Sequence, residues 1–186
     1  DTYEFHVVHH AVNKFFTVDL SAFYLDILKD LLYCDATDGQ RRRSAQSTIH
    51  DILLATLPLL APILSFTTEE IWQFTPNKNK EARSVFYLPW PKNDFELNKE
   101  ASAALSWKDE LLQIRTDVLK QLELARQRKD IGHSLDACVE ISSTDPKRLA
   151  LLNKLNSDEN NDLAQIFITS QVNVVDQLTD GLAGDS

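Results

Sequence analysis

Ala61-Pro62-Ile63-Leu64-Ser65-Phe66-Thr67-Thr68-Glu69-Glu70-Ile71-Trp72 marks the end of one helix and the start of another. Pro62 follows a long apolar helical run and lacks the N–H that would extend it. Thr67 and Glu70, three residues apart, have the pattern of a capping box, and Phe66 and Ile71 the spacing of a hydrophobic staple. A short helix is therefore predicted over 68–75, with Trp72 in the core. Upstream, the spacing predicts a helix over 40–60 that buries Ala45, Ile49, Ile52, Leu53 and Leu60 and kinks near Pro58. Helices joined by such short connections tend to be antiparallel neighbours.

The N-terminal side reads the same way. Phe5, Val8, Val12, Phe15 and Phe16 predict a helix over 3–16, with a break at Thr17 to Asp19. Leu20, Phe23, Tyr24, Ile27, Leu28 and Leu31 then follow an amphipathic period, and Cys34 to Gly39 is a turn. Downstream come a polar loop (76–84), an extended segment (85–88) and Pro89-Trp90-Pro91, which cannot be helix interior. A long helix is predicted over 101–130, with Leu105, Leu112, Leu119, Leu122 and Ala125 as its apolar stripe and Gly132 as its stop. Strands are predicted at 137–141 and 172–175. Between them lie a helix opened by Asp145-Pro146 and a short one over 162–168. The fold class is mainly α: an antiparallel helical bundle (1–95), then a long helix with a small α+β junction subdomain (96–180) and a tail (181–186).

The chain has 186 residues and 43% hydrophobic content, enough for one core or a core and a satellite. No apolar run reaches the length of a membrane span, and the first residues lack a signal-peptide pattern. Opening without Met and directly in a helical pattern, it reads as a piece of a longer protein. Two cysteines far apart, Cys34 and Cys138, make no zinc pattern and suit a reducing cytoplasm. The net charge is −9, but all 19 Lys and Arg residues lie at or before Lys154. Six of the 28 acids lie beyond it, leaving 22 acids against 19 bases over residues 1–154, a net of −3. A local basic face is compatible with that balance.

Arg41, Arg42 and Arg43 open the third helix, where cations oppose the helix dipole and so suggest a task such as phosphate contact. Lys29 joins them as a candidate, and Tyr33, beside the turn, is the aromatic best placed to stack on a base. Arg115, Arg126 and Lys129 on the long helix are further RNA-binding candidates. The competing reading is an exposed mixed-charge helix whose basic stems lie along apolar neighbours. Phe23 and Tyr24 read as core. His6 and His10 share a helix face, but nothing nearby completes a metal site. Catalytic and metal-binding residues are both read as none: there is no nucleophile arrangement and no phosphate loop.

The opening string, together with Thr17-Val18-Asp19-Leu20-Ser21-Ala22-Phe23-Tyr24-Leu25-Asp26 and Arg41-Arg42-Arg43-Ser44, resembles the anticodon-binding helical domain of class I aminoacyl-tRNA synthetases. The bacterial-type isoleucyl branch is the most similar. Arg115, Ala125-Arg126 and Lys129 to Ala137 extend the resemblance over nearly the whole chain. Leu31 departs from it, standing where a basic residue is expected. The valyl and leucyl branches share the bundle and stay open as alternatives, as does a helical protein-interaction module. The resemblance implies a non-catalytic part that holds the anticodon stem-loop of isoleucine tRNA. Its parent would be a cytoplasmic, monomeric ligase using ATP and magnesium, with zinc in members that carry a C-terminal cysteine-rich module. The implied partners are tRNA and the parent's catalytic domain, with no membrane and no cofactor in this part.

Overall fold

The computed structural model describes residues 4–76, 82–92, 99–157 and 162–178. The tail at 181–186 and most of the predicted polar loop lie outside them. The chain divides into two compact units, one drawn from 1–28 and 98–186 and the other from 29–97.

The second unit contains α2 (Lys29–Cys34), α3 (Gln40–Leu60), α4 (Ser65–Phe74) and a 3-10 turn at Val85–Tyr87. Helix α3 has the predicted bounds, and its buried residues are Ala45, Leu57 and Pro58. Leu57, Ala61, Trp72 and Val85 form the core, with Leu53, Leu54, Ala82 and Leu88 packed against it. Trp72 lies in the core as predicted, and its indole N–H donates to Ala82 O at 3.0 Å.

The capping box at Thr67 does not form. Helix α4 starts at Ser65, and Leu64, its N-cap, makes no side-chain cap bond. The N–H groups of Ile63 and Leu64 both bond Leu60 O, at 2.9 and 2.8 Å, and Ser65 Oγ donates to Ala61 O at 3.0 Å. The connection is thus so tight that Thr67 is already inside the helix, with no orphan donor to cap. Phe66 is 93% exposed, so the staple is absent too. Residues 85–87 form a 3-10 turn where an extended segment was predicted.

The first unit begins with α1 (Phe5–Lys14), which runs without a break into a π-helical stretch at Phe15–Leu25. The predicted interruption at Thr17 to Asp19 is absent; the Thr17 hydroxyl donates back to Asn13 O at 2.7 Å instead of capping a new helix. After Leu28 the unit resumes with α5 (Lys99–Arg128), a 3-10 turn at Ser134–Asp136, β1 (Cys138–Ile141), α6 (Pro146–Leu155), α7 (Asp162–Phe167) and β2 (Gln171–Val174). Asp145 caps α6 as predicted, accepting from Lys147 N at 2.9 Å. The strands pair in parallel, from Cys138 opposite Gln171 to Ile141 opposite Val174. A parallel pair requires a crossover, and α6 and α7 supply it.

Leu111, Ile114, Val118 and Leu122 of α5 pack with Leu152, Leu163, Ala164, Phe167 and Val172. This stripe is displaced from the predicted one: Leu105 is 53% exposed, and Leu112 and Leu119 are only half-buried. The buried stripe keeps the same spacing, Leu111, Val118 and Ala125 being seven apart, but lies one position before Leu112 and Leu119, about 100° round the helix, while Leu122 and Ala125 are buried as predicted. Gly132 does not end α5. Lys129 does, at φ 66°, with its N–H on Arg126 O and the Asp130 N–H on Ala125 O, both 3.0 Å. This is a Schellman cap with lysine where glycine is usual. Helix α7 ends in the same way at Ile168, φ 57°.

Candidate nucleic-acid interface

The predicted contact residues fall on both units. Lys29, Tyr33, Arg41, Arg42 and Arg43 belong to the second, and Arg115, Arg126 and Lys129 to the first.

In the second unit the turn between α2 and α3 presents the arginines. Asp35 Oδ1 accepts from Ala36 N at 2.9 Å, and Gly39 N donates to Ala36 O at 2.9 Å. A Cβ on Gly39 would lie 2.5 Å from Asp35 Oδ2 and 3.0 Å from Ala36 O, so a larger residue there would displace the Asp35 carboxylate and crowd the turn. Gly39 is the N-cap of α3 and offers no side chain, and the helix has no acid in its first turn. Arg42 Nη1 donates to Asp35 O at 2.9 Å, so Arg42 braces the turn. Its Nε is buried and makes no hydrogen bond among the described residues. Arg41 and Arg43 are exposed on either side of it. A 21-residue helix adds the partial positive charge of its amino end to these guanidiniums, which suits an anion. Tyr33 is 83% exposed, and Lys29, four residues before it on α2, is exposed as well. Across 29–43 there are four bases against three acids, Asp30, Asp35 and Asp38, so the positive charge is concentrated at the start of α3.

The same unit holds a second ordered surface. Glu69 of α4 accepts from Ser84 Oγ at 2.7 Å, Val85 N at 2.9 Å and Gln73 Nε2 at 2.6 Å. These bonds hold its carboxyl below the ordinary range, the Ser84 hydroxyl contributing most. His50 Nε2 lies 2.8 Å from Pro76 O, which fixes the ring nitrogen as a donor there. Between these anchors runs an open groove of about 1270 Å³, bordered by His50, Leu54, Pro58, Trp72, Arg83 and Pro91.

In the first unit Arg115 is turned inward. Its Nε donates to Ile166 O at 2.9 Å, its Nη2 lies 3.4 Å from Asp26 Oδ2, and its guanidinium sits 5.5 Å from the centre of the Phe23 ring. Its side chain is 12% exposed. Desolvation lowers the guanidinium pKa and Asp26 partly opposes that; the group stays charged throughout. With Gln165 Nε2 donating to Ile27 O at 3.1 Å, Arg115 ties the N-terminal helix to α5 and α7. Its place is inside the unit. Arg126 pairs with Glu123 at 3.1 Å on an exposed face, and Lys129 forms the exposed cap. Asp26 and Glu69, the two acids that organise these sites, are not singled out by the sequence, because Arg115 lies 89 residues from the first and Ser84 15 residues from the second. His6, His9 and His10 are exposed, and no group of three or more potential metal ligands occurs among the described residues.

Residues 1–141 match the family model for the anticodon-binding domain of tRNA ligase, and the chain belongs to that family. Its relatives narrow the branch. It is 46% identical to the isoleucine--tRNA ligase of Syntrophotalea carbinolica, over 100% of this chain and 19% of that protein. Identity is 45% to the isoleucine--tRNA ligase of Carboxydothermus hydrogenoformans, over 98% of this chain and 19% of that protein. It is 38% to that of Geobacillus thermodenitrificans, over 100% and 19%. The chain thus spans about a fifth of the length of the curated relatives it matches.

Proposed function

We propose that this chain holds the anticodon stem-loop of an isoleucine tRNA for an isoleucine--tRNA ligase. The observation that carries the reading is the start of α3, where three arginines meet the positive end of a long helix with no acid in its first turn. Phosphate contacts there set the register of the RNA, and unpaired bases are read by stacking and edge hydrogen bonds. In this reading the chain contributes orientation: it holds one end of the tRNA so that the acceptor end reaches a catalytic domain elsewhere in the ligase. The activation of isoleucine with ATP and magnesium takes place in that domain, and any zinc belongs to a further module. The ligase works as a monomer in the cytoplasm.

The test is binding of an isoleucine-tRNA anticodon stem-loop at two salt concentrations, with a non-cognate stem-loop as control. If about three phosphates are neutralised, affinity falls roughly 40-fold between 50 and 200 mM salt. Arg41→Glu and Arg43→Glu each weaken binding and flatten the slope. Binding that is indifferent to salt and to both charge reversals overturns the reading and favours a protein-interaction module. Equal affinity for the non-cognate stem-loop overturns the isoleucine assignment alone.

A further inference from the structure

The described residues 82–92, Ala-Arg-Ser-Val-Phe-Tyr-Leu-Pro-Trp-Pro-Lys, contain two cations and no acid. Three of their side chains are large aromatics facing solvent: Phe86 is 57% exposed, Tyr87 74% and Trp90 65%. Their exposure follows from the backbone. In a 3-10 turn residues three apart eclipse one another. Val85, 1% exposed, and Leu88 both pack into the core of the second unit, so the intervening Phe86 and Tyr87 are turned outward. Trp90 stands between Pro89 and Pro91, whose rings fix φ on both sides of it.

The segment is anchored from below at several points. Glu69 accepts from Ser84 and Val85, the Trp72 indole donates to Ala82 O, and Gln73 Nε2 donates to Arg83 O at 3.2 Å. The carboxylate of Glu69 is thereby occupied with the turn. Three exposed rings on a pinned backbone, flanked by Arg83 and Lys92, suit flat groups that carry negative charge. Proteins that bind unpaired nucleotides combine the same two elements, aromatic stacking surfaces and a cationic track.

We propose that Phe86, Tyr87 and Trp90 form a stacking platform for unpaired RNA bases, with Arg83 and Lys92 meeting the adjoining phosphates. This rests on the RNA-binding reading above and adds to it a second contact region. The platform is attached to the Leu57 end of α3 through Val85, whereas the arginines open the other end. Fifteen residues of helix separate Arg42 from Leu57, about 22 Å at 1.5 Å per residue. A B-form strand advances about 3.4 Å per nucleotide and an A-form RNA stem less, so the two regions are at least about six or seven nucleotides apart. That is a suitable span for one end of α3 to grip a paired stem while the platform takes unpaired bases of the same RNA.

The experiment uses this chain and the isoleucine-tRNA anticodon stem-loop, with a blunt duplex of the same stem as a second probe. Trp90→Ala and Tyr87→Ala each lower stem-loop affinity about 5- to 150-fold, the effect of losing one stacked base. Because both residues are neutral, the salt slope stays as in the unaltered chain, and Trp90→Phe restores most of the binding. The duplex binds equally to the unaltered chain and to Trp90→Ala. Stem-loop addition quenches tryptophan fluorescence, and the quench disappears in Trp90→Phe. If both alanine variants bind the stem-loop within about twofold of the unaltered chain while Arg43→Glu weakens it, the platform is refuted and the RNA-binding reading stands. If the folded chain binds no stem-loop at low salt, both fall together.

Discussion

Replacing Arg115 by Met removes the charge and the hydrogen bonds but keeps most of the apolar stem. Three contacts are lost. The charged donor to Ile166 O at 2.9 Å is worth about 1.5–3 kcal/mol. The approach to the Phe23 ring at 5.5 Å contributes about 1 kcal/mol. The Asp26 pair, at 3.4 Å and with the carboxylate 31% exposed, adds about 0.5 kcal/mol after screening. Against these stands the desolvation cost of a guanidinium only 12% exposed, which the substitution relieves. The expected net loss is about 2–3 kcal/mol, or roughly 1 M in the urea midpoint of the first unit, followed by circular dichroism. Arg115→Lys recovers only part of it, since a single ammonium lacks the planar fork that serves the carbonyl and the carboxylate together. In a double-mutant cycle with Asp26→Asn the coupling stays below about 1 kcal/mol, because the carbonyl contact carries most of the effect. A loss under about 0.5 kcal/mol would refute the inward role. So would an Arg115→Met chain that keeps its stability and loses RNA binding.

Lys129→Gly stabilises the first unit by about 0.5–1 kcal/mol, since glycine adopts the left-handed cap conformation without the Cβ penalty; an unchanged or lowered melting temperature counts against the cap geometry. Glu69→Gln changes the acid limb of stability. The carboxyl is lowered in the folded chain, so its contribution is complete above the unfolded value, about 4.3, and is lost as pH falls through the folded value. The gap in melting temperature between the unaltered chain and the Gln variant therefore narrows on acidification; a gap independent of pH would refute the bonding to Ser84 and Val85. Trp72→Phe strands the Ala82 carbonyl and costs about 1–2 kcal/mol, read as a lower urea midpoint of the second unit.

Elements with hard chemical boundaries were legible from sequence. Helix α3 ends two residues before Pro62, as predicted, and Asp145 followed by proline opens α6. Both are local effects of one ring or one side-chain oxygen. The apolar stripe of α5 is legible at Leu122 and Ala125 but not in its first turns, where leucines occupy neighbouring positions, 111 and 112, and which of them is buried is settled by Leu152, Leu163 and Phe167. The π-helical stretch leaves no pattern distinct from an α period. At the site, Arg41 to Arg43 were placed correctly at a helix start, because glycine and the turn before them set that boundary. The role of Arg115 was invisible, because its carbonyl partner lies 51 residues away on a helix end.

The bond from Gln165 to Ile27 spans 138 residues. During synthesis at 5–20 residues per second, Ile27 waits about 7–28 s for that partner to be made. Meanwhile everything between Lys29 and Leu97 has been translated, and the residues of the core around Leu57 and Trp72 are all in hand. Phe23, whose ring meets the Arg115 guanidinium, leaves the ribosome well before that partner, as do its neighbours Phe15 and Phe16. The order of translation therefore creates an interval in which this aromatic segment is available to chaperones or to neighbouring nascent chains, and synonymous codons that slow the ribosome between 98 and 165 would lengthen it.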